Sequence, residues 1–317
     1  MPANDPVFIV GCGRSGTTLL RLILNRHSRI AIPEETWFFP QLEKELPGLM
    51  KENWSQNVSK RILELNKIHF PDLTQKALED VLQKTDPLDI PSVIAVVNRE
   101  YMMHTGKRRW GDKTPGYVMH IPFLKRLYSG AKVIHMVRDG RDVVPSMLKY
   151  WSVGPQTNSL NETASYWRKH VLTGLENGPR YFGENYMELK YEDLVQFPEE
   201  TVRNVCKFID EEFEPGMLQA TGVSEKTSEW AWHSETKKEI NTRNIGKWKN
   251  DLTAYQVRCI ELIGGDALTR LGYSLQSAWL LKPARDVLFF KLEVFVKRLL
   301  LRVKIRISGS LKILGLK

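Results

Sequence analysis

A chain of 317 residues with 42 % hydrophobic and 26 % charged residues has the composition of a soluble globular protein, which excludes a disordered or fibrous one. Its three cysteines, Cys12, Cys206 and Cys259, are too few and too far apart for a disulfide framework or a structural zinc site. The net charge of +9 is concentrated in residues 282–317, where ten Lys/Arg face only Asp286 and Glu293, so the nearly neutral body does not read as a nucleic-acid-binding surface.

The opening Met-Pro-Ala-Asn-Asp-Pro carries no basic segment followed by an apolar one, and no run of about 18 uncharged apolar residues follows. The expected location is the cytoplasm. Residues 7–10 form an apolar run ending at Gly11, which predicts a buried strand entering a glycine-rich turn. Helical spacing follows from Thr17 to about Asn25, with Leu20, Ile23 and Leu24 on one side. Residues 41–105 read as mostly helical and carry no motif. Lys132–Val137 predicts a second buried strand, followed by Arg-Asp-Gly-Arg and a helix through Met147. Asn185–Lys190 predicts a third strand, Pro198 opens a helix reaching Phe208, Ser224–Asn250 reads as an ordered flap, and Tyr255–Leu271 returns to helical spacing. Strand, loop and helix recurring at crossover-length intervals predict an α/β fold: a P-loop-like parallel sheet flanked by helices, with a helical insertion. The expected division is a domain over residues 1–281 and a basic amphipathic C-terminal tail over 282–317.

The informative stretch is Gly11-Cys-Gly-Arg-Ser-Gly16-Thr17-Thr18. Between a strand and a helix, its backbone N–H groups converge on an anion at the positive end of the helix dipole. The frame approximates G-x-x-x-x-G-K-[ST], but Thr17 stands where the lysine belongs. That lysine reaches the β/γ-phosphates of a nucleoside triphosphate, so a P-loop kinase or NTPase is the alternative reading and a poorer fit. Arg14 instead offers a planar fork of donors to one tetrahedral anion. A second anion site is expected where Arg138 ends a strand and Ser146 lies in the next helix, because ligands gather at such junctions of a parallel sheet.

Gly-Cys-Gly-Arg-Ser-Gly-Thr-Thr-Leu-Leu together with Met-Val-Arg-Asp-Gly-Arg-Asp-Val-Val-Pro-Ser resembles the sulfotransferases that use 3'-phosphoadenosine 5'-phosphosulfate (PAPS). Within that family the likeness is to the bacterial-type and tyrosylprotein sulfotransferases, over about residues 7–253. The resemblance implies that Gly13, Arg14, Ser15, Gly16, Thr17 and Thr18 bind the 5'-phosphosulfate and that Arg138 and Ser146 bind the 3'-phosphate. It places a catalytic base at Glu35 in Glu34-Glu35-Thr36, where an acceptor hydroxyl needs one and where apolar Trp37, Phe38 and Phe39 would raise its pKa. It gives Lys113, in Trp110-Gly-Asp-Lys-Thr-Pro115, the charge growing on the leaving phosphate. Tyr191, Arg243 and Lys247 are its expected nucleotide contacts. Tyr191 is equally a strand-end core residue, and the segment Arg243–Lys249 lacks the Arg-Lys-Gly that cytosolic members carry there.

Histidine is the rival base. His27 lies about ten residues past Gly16, on the order of 15 Å along a continuous helix and too far for proton transfer. His135 reads as core, while His120 and His233 stay open. No paired Cys/His spacing exists, so no metal is expected. In the tail, Leu288, Leu292, Phe295, Leu299 and Val303 share one helical face among basic residues. That pattern suits an anionic membrane surface or, alternatively, packing on this domain or a second subunit. The acceptor is a hydroxyl on a glycan, a glycolipid or a peptide tyrosine, with the tail favouring the first two. Residues 36–60, 150–165 and 224–245 are the loops expected to select it. A non-enzymatic membrane-binding module with a degenerate nucleotide fold is the remaining rival.

Overall fold

The computed structural model describes residues 5–33, 35–37, 39–65, 74–85, 93, 97, 105–151, 159–219 and 240–276. In chain order its strands are β1 (Val7–Gly11), β2 (Ile30–Ala31), β3 (Arg109–Lys113), β4 (Lys132–Val137) and β5 (Tyr186–Lys190). The helices are α1 (Thr17–Asn25), α2 (Phe39–Leu49), α3 (Trp54–Leu65), α4 (Gln75–Thr85), α5 (Ile121–Leu127), α6 (Gly140–Trp151), α7 (Leu160–Phe182), α8 (Tyr191–Gln196), α9 (Pro198–Phe208), α10 (Trp248–Asp251) and α11 (Ala254–Arg270). A 3-10 turn, Pro115–His120, joins β3 to α5.

The strands form one parallel sheet in the order β2-β3-β1-β4-β5. Every side chain of β1 is buried, as expected of a central strand covered on both faces. Phe8 and Val10 join one core cluster, whereas Val7 and Ile9 join the other. The first cluster also takes Leu42, Val58, Ile62, Leu78 and Leu82, so the expected helical insertion shares the sheet's own core. A third cluster seats Val137 and Cys12 against Trp167 of α7 and Ile260 and Leu268 of α11.

Among the elements that differ from the sequence reading are α7 and β3. Residues 150–165 are expected to be a loop, yet α7 starts at Leu160, where the Ser159 side chain accepts a hydrogen bond from the Glu162 amide. β3 was not anticipated, because Arg-Trp-Gly-Asp-Lys lacks an apolar run. Its polar residues pair beside β1, with Ile9 opposite Lys113, and Arg109, Asp112 and Lys113 are all buried. The flap region is described only from residue 240 onward. His233, Glu34 and the whole 282–317 tail lie outside the described residues.

Candidate active site

The turn between β1 and α1 is shaped by two left-handed residues, Arg14 (φ 68°) and Gly16 (φ 93°). Gly16 is the N-cap of α1 and supplies no side-chain cap, so the first amides of the helix face outward with the dipole behind them. Glycine is needed there twice over. Its φ is unfavourable for other residues, and a Cβ would meet the Tyr191 ring at 2.5 Å. Ser15 and Thr17 are buried, and Ser15 Oγ has no hydrogen-bond partner among the described residues.

The residues expected to form the second anion site touch those of the first. Arg14 Nε donates to Ser146 Oγ at 3.1 Å. Arg138 Nη1 donates to the Arg14 carbonyl at 3.1 Å and Nη2 to the Asn244 carbonyl at 2.6 Å. Its guanidinium lies 4.3 Å from the Tyr191 ring centre, while its buried Nε has no partner among the described residues. A buried donor without a partner is uncommon. Among the described residues two such donors, Ser15 Oγ and Arg138 Nε, belong to the two segments expected to bind anions.

Glu35 and Lys113 come together at the edge of this cradle. Lys113 Nζ is 2.8 Å from Glu35 Oε1 and 3.5 Å from Thr18 Oγ1. The lysine is 1 % exposed and the glutamate side chain 35 %, so the pair has one dry and one open end. The ammonium thus reaches the first turn of α1 from β3, the strand beside β1. Trp37 Nε1 donates to Glu35 Oε2 at 2.8 Å. The expected apolar setting of Glu35 is therefore replaced by an ammonium and an indole N–H.

Trp37 itself holds φ 55°, packs against the backbone at Gly116, where a Cβ would come within 2.7 Å of the ring, and remains 42 % exposed. Behind Glu35, Asp112 is buried, and desolvation pushes its carboxyl up to about 7 against the lowering pull of Thr36, Thr114 and Lys113.

Arg243 and Lys247 are exposed, and Lys247 pairs with Asp251 at 3.6 Å. The residue of this segment that reaches the cradle is Asn244, through its carbonyl. The segment is rooted on α6, where the Asp142 carboxylate accepts from the Gly246 and Trp248 amides, both at 2.8 Å. Arg141 stacks 4.1 Å from the Trp248 ring centre while binding Asp139 and Glu261. Sequence reasoning passed over Asp142 and Asn244. The repeated acid in Asp-Gly-Arg-Asp was a usable signal for the first, whereas a backbone carbonyl leaves none.

The histidines separate clearly. His27 is buried beyond the far end of α1, its Nε2 2.9 Å from the Glu212 carbonyl. His135 is fully buried, with Nδ1 2.7 Å from Tyr186 Oη and its pKa pushed down to about 3 by burial. His120 is exposed at the end of the 3-10 turn. Among the described residues, no group of three or more His, Cys, Asp or Glu is placed to hold a metal ion.

A parallel sheet with an uncapped, glycine-bent strand-to-helix turn, crossed by arginines and edged by a Glu–Lys pair, defines an α/β group-transfer enzyme of the nucleotide-binding kind. The profile described as "Sulfotransferase family" matches residues 6–215, and the chain belongs to that family and is a sulfotransferase. The kinase alternative is set aside by this membership. Among its relatives, the nodulation protein NoeE of Sinorhizobium fredii is 26 % identical over 303 residues, 86 % of this chain and 67 % of that protein. Human protein-tyrosine sulfotransferase 1 is 26 % identical over 277 residues, 84 % of this chain and 69 % of that one. In fold, the sulfotransferase domain of the Synechococcus PCC 7002 olefin synthase matches with a TM-score of 0.62 at 22 % identity, covering 87 % of this chain and 98 % of that domain.

Proposed function

We propose that the protein moves the sulfuryl group of PAPS to a hydroxyl of a glycan or glycolipid, with Glu35 as general base. The observation that carries this reading is the Glu35–Lys113 pair at 2.8 Å, seated beside Thr18 at the first turn of α1. Base and cation thus adjoin the same anion cradle. The uncapped helix start and the donors Ser15 Oγ and Arg138 Nε, without a partner among the described residues, suit a donor with anionic groups at two ends.

In the proposed reaction the acceptor oxygen bonds to sulfur as the bond from sulfur to the bridging phosphate oxygen breaks. Adenosine 3',5'-bisphosphate leaves, and the hydroxyl proton passes to Glu35. Arg14 and the amides of Gly13 to Thr18 hold the sulfuryl oxygens, and Lys113 offsets charge growing on the bridging oxygen. Arg138 and Ser146 take the 3'-phosphate, with Tyr191, Arg243 and Lys247 nearer the nucleoside. The scheme requires no metal, since PAPS brings the group already activated.

The test is transfer of radiolabel from PAPS into extracts of the source cell, with products separated into glycan, glycolipid and protein. Glu35→Gln is expected to lower turnover by about 10²- to 10⁴-fold with nucleotide affinity unchanged, and Glu34→Gln to stay active. Near-normal turnover in Glu35→Gln moves the base elsewhere, with His120 and His233 next. Label confined to protein tyrosine overturns the acceptor class. That class rests on the basic tail, which we propose seats the enzyme peripherally on the cytoplasmic face of a membrane. Deleting residues 282–317 is expected to release the protein from anionic liposomes while nucleotide binding persists, since each basic residue near such a surface contributes about 1 kcal/mol.

A further inference from the structure

Glu35 lies in the segment between β2 and α2, outside both elements, where sliding by a single residue would exchange one side chain for the next. Something must fix its register. Two consecutive residues of the stretch meet two consecutive residues of β3 in crossed order. Glu35 takes Lys113 at 2.8 Å, and Thr36 Oγ1 donates to Asp112 Oδ2 at 2.5 Å. Neighbours on a strand face opposite sides, so the two contacts grip β3 from both faces. With its proton given to Asp112, the Thr36 hydroxyl accepts from Tyr117 Oη at 2.9 Å. The Thr36 amide donates to Thr114 Oγ1 at 3.1 Å.

Burial separates the two residues sharply. Thr36, Asp112, Thr114 and Tyr117 are all at most 2 % exposed, whereas Glu35 keeps an open end. A buried knot of three hydroxyls and one carboxylate therefore adjoins an accessible base. A polar knot of this kind is expensive to break, because each buried group left without a partner costs about 1–3 kcal/mol. It is also specific, since the residues flanking Thr36, Glu35 and Trp37, carry no hydroxyl to offer Asp112.

We infer that Thr36, held by Asp112, is a positioning residue that sets the register at which Glu35 meets Lys113 and the acceptor. Its hydroxyl is committed to Asp112 and Tyr117 within the protein, so it acts through Glu35 and not on substrate. The inference rests on the reading of Glu35 as the base.

The test uses the full chain and the acceptor fraction that wild type labels from PAPS, with the affinity for adenosine 3',5'-bisphosphate as the folding control. Thr36→Val keeps the shape and removes the hydroxyl; it is expected to lower kcat by about 10-fold or more at unchanged nucleotide affinity, and Thr36→Ser to recover most of the loss. The decisive readout is coupling. In the Thr36→Val background, adding Glu35→Gln is expected to cost about 10-fold less than its 10²- to 10⁴-fold in wild type, so that the double variant is no more impaired than Glu35→Gln alone, because a misplaced base has less left to lose. Wild-type kcat in Thr36→Val, or a full and additive Glu35→Gln loss, overturns the inference. Should Thr36→Val lose nucleotide binding, Asp112→Leu, which removes the acceptor of the Thr36 hydroxyl, takes its place. A lowered kcat with the same sub-additive coupling then supports the inference, and additivity overturns it. An active Glu35→Gln single variant would instead strike the base assignment itself, a different failure.

Discussion

The β1–α1 cradle and the rim that carries Glu35 share one edge of the sheet and are built in opposite ways. The cradle is eight consecutive residues whose geometry is local: a buried strand, two left-handed residues and a helix start. The rim is assembled from single residues of separate segments, Glu35 and Thr36 with Asp112, Lys113 and Tyr117, 76 to 81 residues apart along the chain. Backbone geometry makes the cradle tolerant of side-chain change except where a Cβ itself intrudes. Side-chain bonding makes the rim sensitive to a single atom and to protonation.

The largest expected effect tests that sensitivity to protonation. Burial raises the Asp112 carboxyl to about 7. Its contribution to stability is therefore fully present below the ordinary value near 4 and is lost as pH rises through 7. Asn does not titrate. Asp112→Asn is accordingly expected to gain on wild type as pH rises from 4 to 8, by on the order of 4 kcal/mol at the limit, measured by thermal unfolding across that range. A pH-independent difference would mean that the Asp112 carboxyl is not raised above its ordinary value in the folded protein.

The cradle is expected to break at Gly16. An alanine there meets an unfavourable φ of 93° and the Tyr191 ring at 2.5 Å, which together cost about 2–4 kcal/mol. Calorimetry with adenosine 3',5'-bisphosphate should show binding lost or weakened by about 30-fold or more. An unchanged affinity would show that the turn relaxes without consequence. Smaller still is Arg138→Ala, which removes a charge-assisted contact worth roughly 1.5–3 kcal/mol. It is expected to erase most of the preference for adenosine 3',5'-bisphosphate over 5'-AMP, and a variant that discriminates the two as wild type does would remove Arg138 from the 3'-phosphate.

The same contrast explains what could be read in the sequence. Gly11 to Thr18 announces itself because strand, turn and helix signals are contiguous, and α1 runs from Thr17 to Asn25 as its spacing predicts. β4 is equally plain, an apolar run buried on both faces. β3 is not, because Arg109, Asp112 and Lys113 are buried by tertiary partners that no local period reveals. α7 escaped for a related reason. Its apolar positions Ala164, Trp167 and Val171 are diluted by Gly174, Gly178 and Pro179, so residues 150–165 read as a loop. Glu35 and Lys113 were legible as residue types only. Their contact, and the buried knot behind it, depend on β3 lying beside β1.

Tyr191 gives the cradle a property that neither anion site has alone. One edge of its ring lies where a side chain on Gly16 would be, and one face lies under the Arg138 guanidinium. A single ring thus adjoins both the helix start and the strand-end arginine. In the proposed reading it works as a calliper, measuring the reach between the two ends of a nucleotide. A phosphate moved from the 3' to the 2' position of the ribose would keep its charge and miss the far jaw. Donor selectivity would then be a matter of length, fixed by the width of one aromatic ring.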